Sequence, residues 1–165
     1  MVFVLGAPPP PPVRGPKKPA PPIDFECASR AIETVKAALS YIIIGPPLIR
    51  YGPAGEVHVD VPLMYQGLAL DRVHYDPSLR TPSPKGRPAR AWRVRVDVGE
   101  VKAVMESVLK EVRVIDAAEY REPEAAWVVP LAWRNIIIAH IKVSHDGSEL
   151  IPDCGLTEEI RRYVI

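Results

Sequence analysis

Side-chain amides are nearly missing from this sequence: Asn135 and Gln66 stand alone among 165 residues. With 20 prolines, and with Glu, Arg and Lys supplying the polar surface, the composition is that associated with hyperthermophile proteins. Amides are thermolabile, and proline lowers the entropy of the unfolded chain. A thermophilic, archaeal source is therefore expected. Cysteine is equally scarce. Cys27 and Cys154 are far apart in the chain and belong to no CxxC pair, which excludes zinc ribbons and dithiol redox centres. Two free, buried thiols are expected in a cytosolic protein, with a 27–154 disulfide as the alternative that hyperthermophiles allow.

Long apolar runs are absent too. "YIIIGPPLI" and "AAWVVPLAW" are cut by proline, well short of the ~18 residues that cross a bilayer. "MVFVLG" lacks a basic n-region, so no membrane association and a cytoplasmic location are expected. The glycines at 45, 52, 55 and 67 fit neither GxGxxG nor GxxxxGK[ST], and no GxSxG occurs. Those absences leave no recognisable phosphate cradle or serine nucleophile, and no cofactor is expected. Asp60, Asp71 and Glu149 are candidate general acids of the kind any such chain carries.

What is present is organised. Residues 7–22, "APPPPPVRGPKKPAPP", favour extended polyproline conformation and exclude helix and central strand. They read as a proline-rich N-terminal arm, residues 1–22, ahead of a single α+β domain, residues 23–165. A helix is predicted from Asp24 to about Ile44. Asp24 is its N-cap, Ile23 a hydrophobic staple, and Phe25, Ala28, Ile32, Val35, Leu39 and Ile42 form its apolar stripe. A second is predicted over 100–112, and a short C-terminal one capped by Thr157. Strict alternation predicts strands at 56–62 (Val57, Val59, Val61 inward) and 91–98 (Trp92, Val94, Val96, Val98 inward). Further strands are predicted at 68–75, 112–116, 126–133 and 135–144, the last carrying an isoleucine triplet suited to a strand covered on both sides. The fold class expected is α+β: a mainly antiparallel sheet packed by two amphipathic helices, with a short C-terminal helix.

The stretch "HIKVSHDGSELIPDC" (140–154) gathers two histidines, three carboxylates and a cysteine. Strand alternation puts His140 and His145 on opposite faces, while Asp146-Gly147 is a strong hairpin signal. The segment is therefore read as a β-hairpin with Val143 opposite Leu150, and not as a metal site. His58 and Asp60 are better placed for a metal, because residues two apart share a strand face. His74 or His140 from a neighbouring strand would complete a three-ligand site.

Charge supplies the remaining signal. The first 95 residues hold 13 Lys/Arg against 7 Asp/Glu, and the last 70 hold 8 against 13. The basic excess is densest in "RTPSPKGRPARAWRVR", where Arg80, Lys85, Arg87, Arg90, Arg93 and Arg95 occur without an acid. An exposed basic loop entering a strand is suited to nucleic-acid phosphates, with Tyr75 available to stack on bases. The competing reading pairs these arginines with Glu119, Glu122 and Glu124. Three functions follow. A nucleic-acid-binding module is favoured over a protein-assembly subunit that uses the N-terminal arm for strand addition or oligomerisation with a partner or second copy. Last comes a metal-assisted hydrolase or nuclease around His58 and Asp60.

Overall fold

The computed structural model describes residues 8–15 and 24–164. Among the described residues the first elements are α1 (Phe25–Leu39), β1 (Ile43–Ile44), β2 (Leu48–Tyr51), β3 (Glu56–Tyr65), β4 (Leu68–Asp76), β5 (Thr81–Pro82) and β6 (Ala91–Trp92). There follow α2 (Val98–Glu111), β7 (Arg113–Val114), β8 (Glu119–Arg121) and a single 3-10 turn (Glu122–Glu124). The chain closes with β9 (Ala126–Trp133), β10 (Ile136–Ser144), β11 (Leu150–Ile151) and α3 (Cys154–Val164).

These elements form two antiparallel sheets and three helices, a mixed α+β fold in which sheet predominates. In the first sheet β3 pairs with β1, β2, β4 and β6, and β5 adds to β4. In the second the order is β11-β10-β9-β7, with β8 also on β9. Gln66 and Gly67, at φ 51° and 78°, make the two-residue turn between β3 and β4. Two successive positive φ values match the twist of the flanking strands.

Alternation along β3 behaves as the sequence pattern predicts. Val57, Val59 and Val61 are buried, whereas His58 and Asp60 lie on the opposite, outer face. The buried side of the first sheet meets that of the second (Val129, Leu131, Ile141, Val143) in one apolar cluster, closed by Ala31 and Val35 of α1 and Val101 and Met105 of α2. Asp71 is the polar exception on this inner side. Its Oδ2 accepts from the His140 backbone N–H at 2.7 Å, next to the bulge between Ile137 and Ala139, and its Oδ1 accepts from Lys85 Nζ at 2.7 Å. The Lys85 N–H in turn donates to Ile137 O at 2.8 Å. One buried carboxylate thereby stitches β4 to β10, satisfying an N–H that the bulge leaves over.

Several expected boundaries move. α1 stops at Leu39, and Ile43–Ile44 become strand, since β-branched residues just before Gly45-Pro46-Pro47 gain little from prolonging a helix that must end there. Its buried positions are Ala31, Val35 and Ala38, and Phe25 is exposed. α3 starts three residues before Thr157, because Asp153 Oδ1 accepts from the Leu156 N–H at 2.9 Å and caps the first turn. Thr157 then bonds sideways, accepting from the Ala69 N–H at 3.0 Å. Ile137 is partly exposed at the bulge, so the isoleucine triplet is not covered on both sides.

Residues 8–15 run along the body. Tyr41 and Tyr65 hydroxyls donate to the carbonyls of Pro8 and Pro11, at 2.7 and 2.5 Å. Val13 forms a parallel bridge with Leu150, flanked by the Leu150 N–H donating to Pro12 O at 2.8 Å and the Arg14 N–H donating to Leu150 O at 2.6 Å. The expected staple Ile23 and the "MVFVL" segment lie outside the described residues.

Candidate nucleic-acid interface and the polar face beside it

The hairpin at 140–154 forms with the expected register, Val143 opposite Leu150. Only Gly147 of the turn has positive φ (80°), so the turn is not the type I′ that Asp146-Gly147 suggests. Asp146 instead accepts from Ser144 Oγ at 2.7 Å and from the Ser148 N–H at 3.0 Å. His145 is buried edge-on against Tyr120, its ring nitrogens without hydrogen-bond partners among the described residues. Cys27 is half-buried on α1 and Cys154 exposed at the start of α3. Both are free thiols, so neither the 27–154 bridge nor full burial is realised.

On the outer face of the first sheet, strand register assembles a charged chain. Asp60 on β3 lies directly opposite His74 on β4, and its Oδ1 is 2.8 Å from His74 Nδ1. Its Oδ2 accepts from Arg72 at 3.0 Å. Arg72 donates onward to Glu159 of α3 at 2.7 Å, and Arg50 of β2 pairs with the same carboxylate. Burial works to raise the Asp60 carboxyl, but the hydrogen bonds from His74 and Arg72 outweigh it and hold it below the usual carboxylate range. Both oxygens are thus engaged, one by a guanidinium. A metal held by His58 and Asp60 would have to displace these partners. Among the described residues no group of three or more His, Cys, Asp or Glu side chains is disposed around a common point. His140 is remote from this face. Its ring is half-buried on the second sheet, and burial first, then Lys85 and Arg121 against the opposing pull of Asp71, holds its pKa below the ordinary value. No hydroxyl or thiol hydrogen-bonds His74 among the described residues, so the Asp60–His74 pair lacks an aligned nucleophile.

The basic stretch is divided by the fold. Lys85 turns inward to Asp71, and Arg80 Nε meets Glu100 of α2 at 3.1 Å. Arg87, Arg90, Arg93 and Arg95 are exposed, and none has a carboxylate within ion-pair distance among the described residues. The acids expected to neutralise them are elsewhere. Glu119 lies on β8, Glu122 in the 3-10 turn, and Glu124 pairs with Lys142 at 3.0 Å. Arg80 and Arg95 line one small crevice with Asp97 and Glu100 at the start of α2.

Two aromatic expectations are reversed. Tyr75 is buried in the core and unavailable for stacking. Trp92 is 54% exposed. The predicted strand 91–98 is only two residues long: Arg93 adopts φ 56° and breaks it, and Asp97 then caps α2 through the Glu100 N–H at 3.2 Å. Ala91 pairs with buried Val57 and shares its inward side, which places Trp92, opposite Glu56, on the outer face. The signal for this inversion was the capping aspartate. It starts α2 at Val98, so the valines beyond Arg93 could not set the phase of β6.

A scan of protein-family models and searches of curated proteins and solved structures give no match to this chain.

Proposed function

We propose that this chain is a cytoplasmic nucleic-acid-binding module whose phosphate contacts are Arg87, Arg90, Arg93 and Arg95, with Arg80 beside them. In this reading residues 23–165 are the rigid scaffold, its α1 and α2 packed by amphipathic faces, and residues 1–22 are a proline-rich arm. The observation that carries the proposal is four exposed guanidiniums in nine residues with no carboxylate partner among the described residues. Other basic residues, Arg113 and Arg134 among them, also meet no carboxylate, but nowhere else among the described residues do four such guanidiniums fall within nine positions, and that density presents a local positive field on a chain of net charge +1. Lys85 is left out of the contact set because Asp71 holds its ammonium. Binding is favoured over hydrolysis because Asp60 is fully engaged by His74 and Arg72.

The test is a salt series with duplex and single-stranded DNA and RNA. The logarithm of the binding constant is expected to fall linearly with log salt. Changing Arg87, Arg90, Arg93 and Arg95 together to alanine should lower the slope by about 3, at roughly 0.7–0.9 per lost phosphate contact. Negligible binding to every oligonucleotide at low salt would overturn the proposal.

A further inference from the structure

The arginines alone do not say whether the ligand is paired or unpaired, but Trp92 does. Large apolar side chains are commonly withdrawn from water, and the other two tryptophans obey that rule. Trp127 and Trp133 are buried, with indole N–H groups donating to His145 O at 2.8 Å and Glu111 Oε2 at 3.0 Å. Trp92 differs on both counts: it is over half exposed, and its indole N–H has no partner among the described residues. It sits between Arg90 and Arg93 in the chain, on a strand whose end is fixed by the left-handed backbone of Arg93. That conformation is uncommon for a residue with a side chain.

The surroundings leave the indole face accessible to a planar group. Glu56 is directly opposite, but its Oε2 accepts from the Ala54 N–H at 3.0 Å and so is turned back onto its own turn. Continuing the register puts His58 diagonally across from Trp92 on the same outer face. Side chains so related in an antiparallel pair are within mutual reach when one is aromatic. The next acid along, Asp76, is occupied by the Ser78 and Leu79 N–H groups, at 2.9 and 3.1 Å. A flat aromatic, a second ring beside it and flanking free guanidiniums are what unpaired bases and their phosphates require. In a duplex the base faces are hidden by stacking, and an indole on a sheet surface cannot reach them.

We infer that the ligand is single-stranded nucleic acid, with one base stacked on Trp92, a neighbouring base against His58, and the adjoining phosphates on Arg90, Arg93 and Arg95. This rests on the proposed nucleic-acid binding and specifies its substrate class. The contacts are to base faces and phosphates, so the site tolerates any sequence.

The experiment uses the full chain with labelled oligo-dT, oligo-U and a duplex, each of about 15 nucleotides or base pairs, a length within the range of one such surface. Single strands should bind more tightly than the duplex. Trp92→Ala should weaken single-strand binding about 5- to 150-fold, and Trp92→Phe should retain most of it. His58→Ala should cost less than Trp92→Ala. Because the other tryptophans are buried, saturating oligo-dT or oligo-U should shield the emission of Trp92 from acrylamide, and this protection should vanish in Trp92→Phe. Comparison of oligo-dT with oligo-U says which backbone is preferred, and either preference upholds the inference. Salt-dependent binding that is unchanged in Trp92→Ala, with no shielding, would overturn the inference and leave the phosphate contacts standing. No binding by the unmodified chain would overturn both.

Discussion

Beneath α3, Arg50 and Arg72 share the carboxylate of Glu159, and Arg72 reaches Asp60 as well. Along 87–95, four arginines meet no carboxylate among the described residues. The two regions belong to the same sheet and use the same residue type, so composition cannot separate them. What separates them is strand register. β2, β3 and β4 bring Arg50, Asp60, Arg72 and His74 to adjacent positions under a helix that supplies Glu159. β6 pairs with β3 only at Glu56 and Val57 and ends after two residues. Charges in the first region are paired within the fold. Those in the second have no such pairing among the described residues, which makes them the place to look for a ligand.

Lys85 gives the widest break between the regions, because it belongs to the basic stretch in sequence and to the tied region in space. Asp71→Ala would leave its ammonium without its partner and the His140 N–H unbonded. Removing one partner of a buried pair costs about 3–5 kcal/mol, a fall of roughly 6–20 °C in melting temperature for a chain of this size. Calorimetry measures it. Below its melting temperature the variant should keep the salt slope of the unmodified chain. A steeper slope would mean that the released Lys85 joins the binding surface.

Acid should weaken the tied regions in two stages. His140 has a folded pKa below its ordinary 6.5, so the unfolded chain binds the proton first. Stability therefore falls as pH drops below 6.5 towards the folded value. Asp60 has a folded pKa below its ordinary 3.8. Its contribution is fully present above that value and is lost as pH falls through the folded pKa. Denaturant melts across pH should show both stages, the upper missing in His140→Gln and the lower reduced in Asp60→Asn, where Asp146, whose carboxyl is also held below its ordinary range by the Ser144 and Ser148 hydrogen bonds, still contributes. An unaltered profile in Asp60→Asn would contradict the ion-pair account of that face.

The smallest effects on stability concern surface arginines. Arg50 and Arg161 pair with Glu159 and Glu158 while keeping more than half of their side chains exposed, and such pairs are worth about 0–1 kcal/mol. Arg87→Ala and Arg90→Ala should each change stability by less than about 0.5 kcal/mol. A larger loss from either would reveal a structural partner and weaken the case for a ligand.

Much of the framework was legible because it rests on local chemistry. Asp24 caps α1, the valines of β3 alternate, and Val143 faces Leu150 across the last hairpin. The outer charged chain was half legible. The shared strand face of His58 and Asp60 follows from a two-residue period, but Asp60's partners come from β4, and the onward link through Arg72 to Glu159 comes from α3. Those pairings depend on register between distant segments. Trp92 was misread for a related reason. Its phase was set by valines that belong to a kinked connection and to the first turn of α2, and not to a strand. Asp71 reads in sequence like any strand carboxylate, and only the bulge in β10 gives it a buried N–H to accept from.

The most direct test compares two double variants that remove the same charge: Arg90→Ala with Arg93→Ala, and Arg50→Ala with Arg161→Ala. Binding to oligo-dT is followed across a salt series for each. The first pair should lower the slope by about 1.4, at roughly 0.7 per phosphate contact on a single strand, and the second should leave it unchanged. Equal reductions in both would mean that net charge, and not the free arginines beside Trp92, governs binding, and would contradict the account.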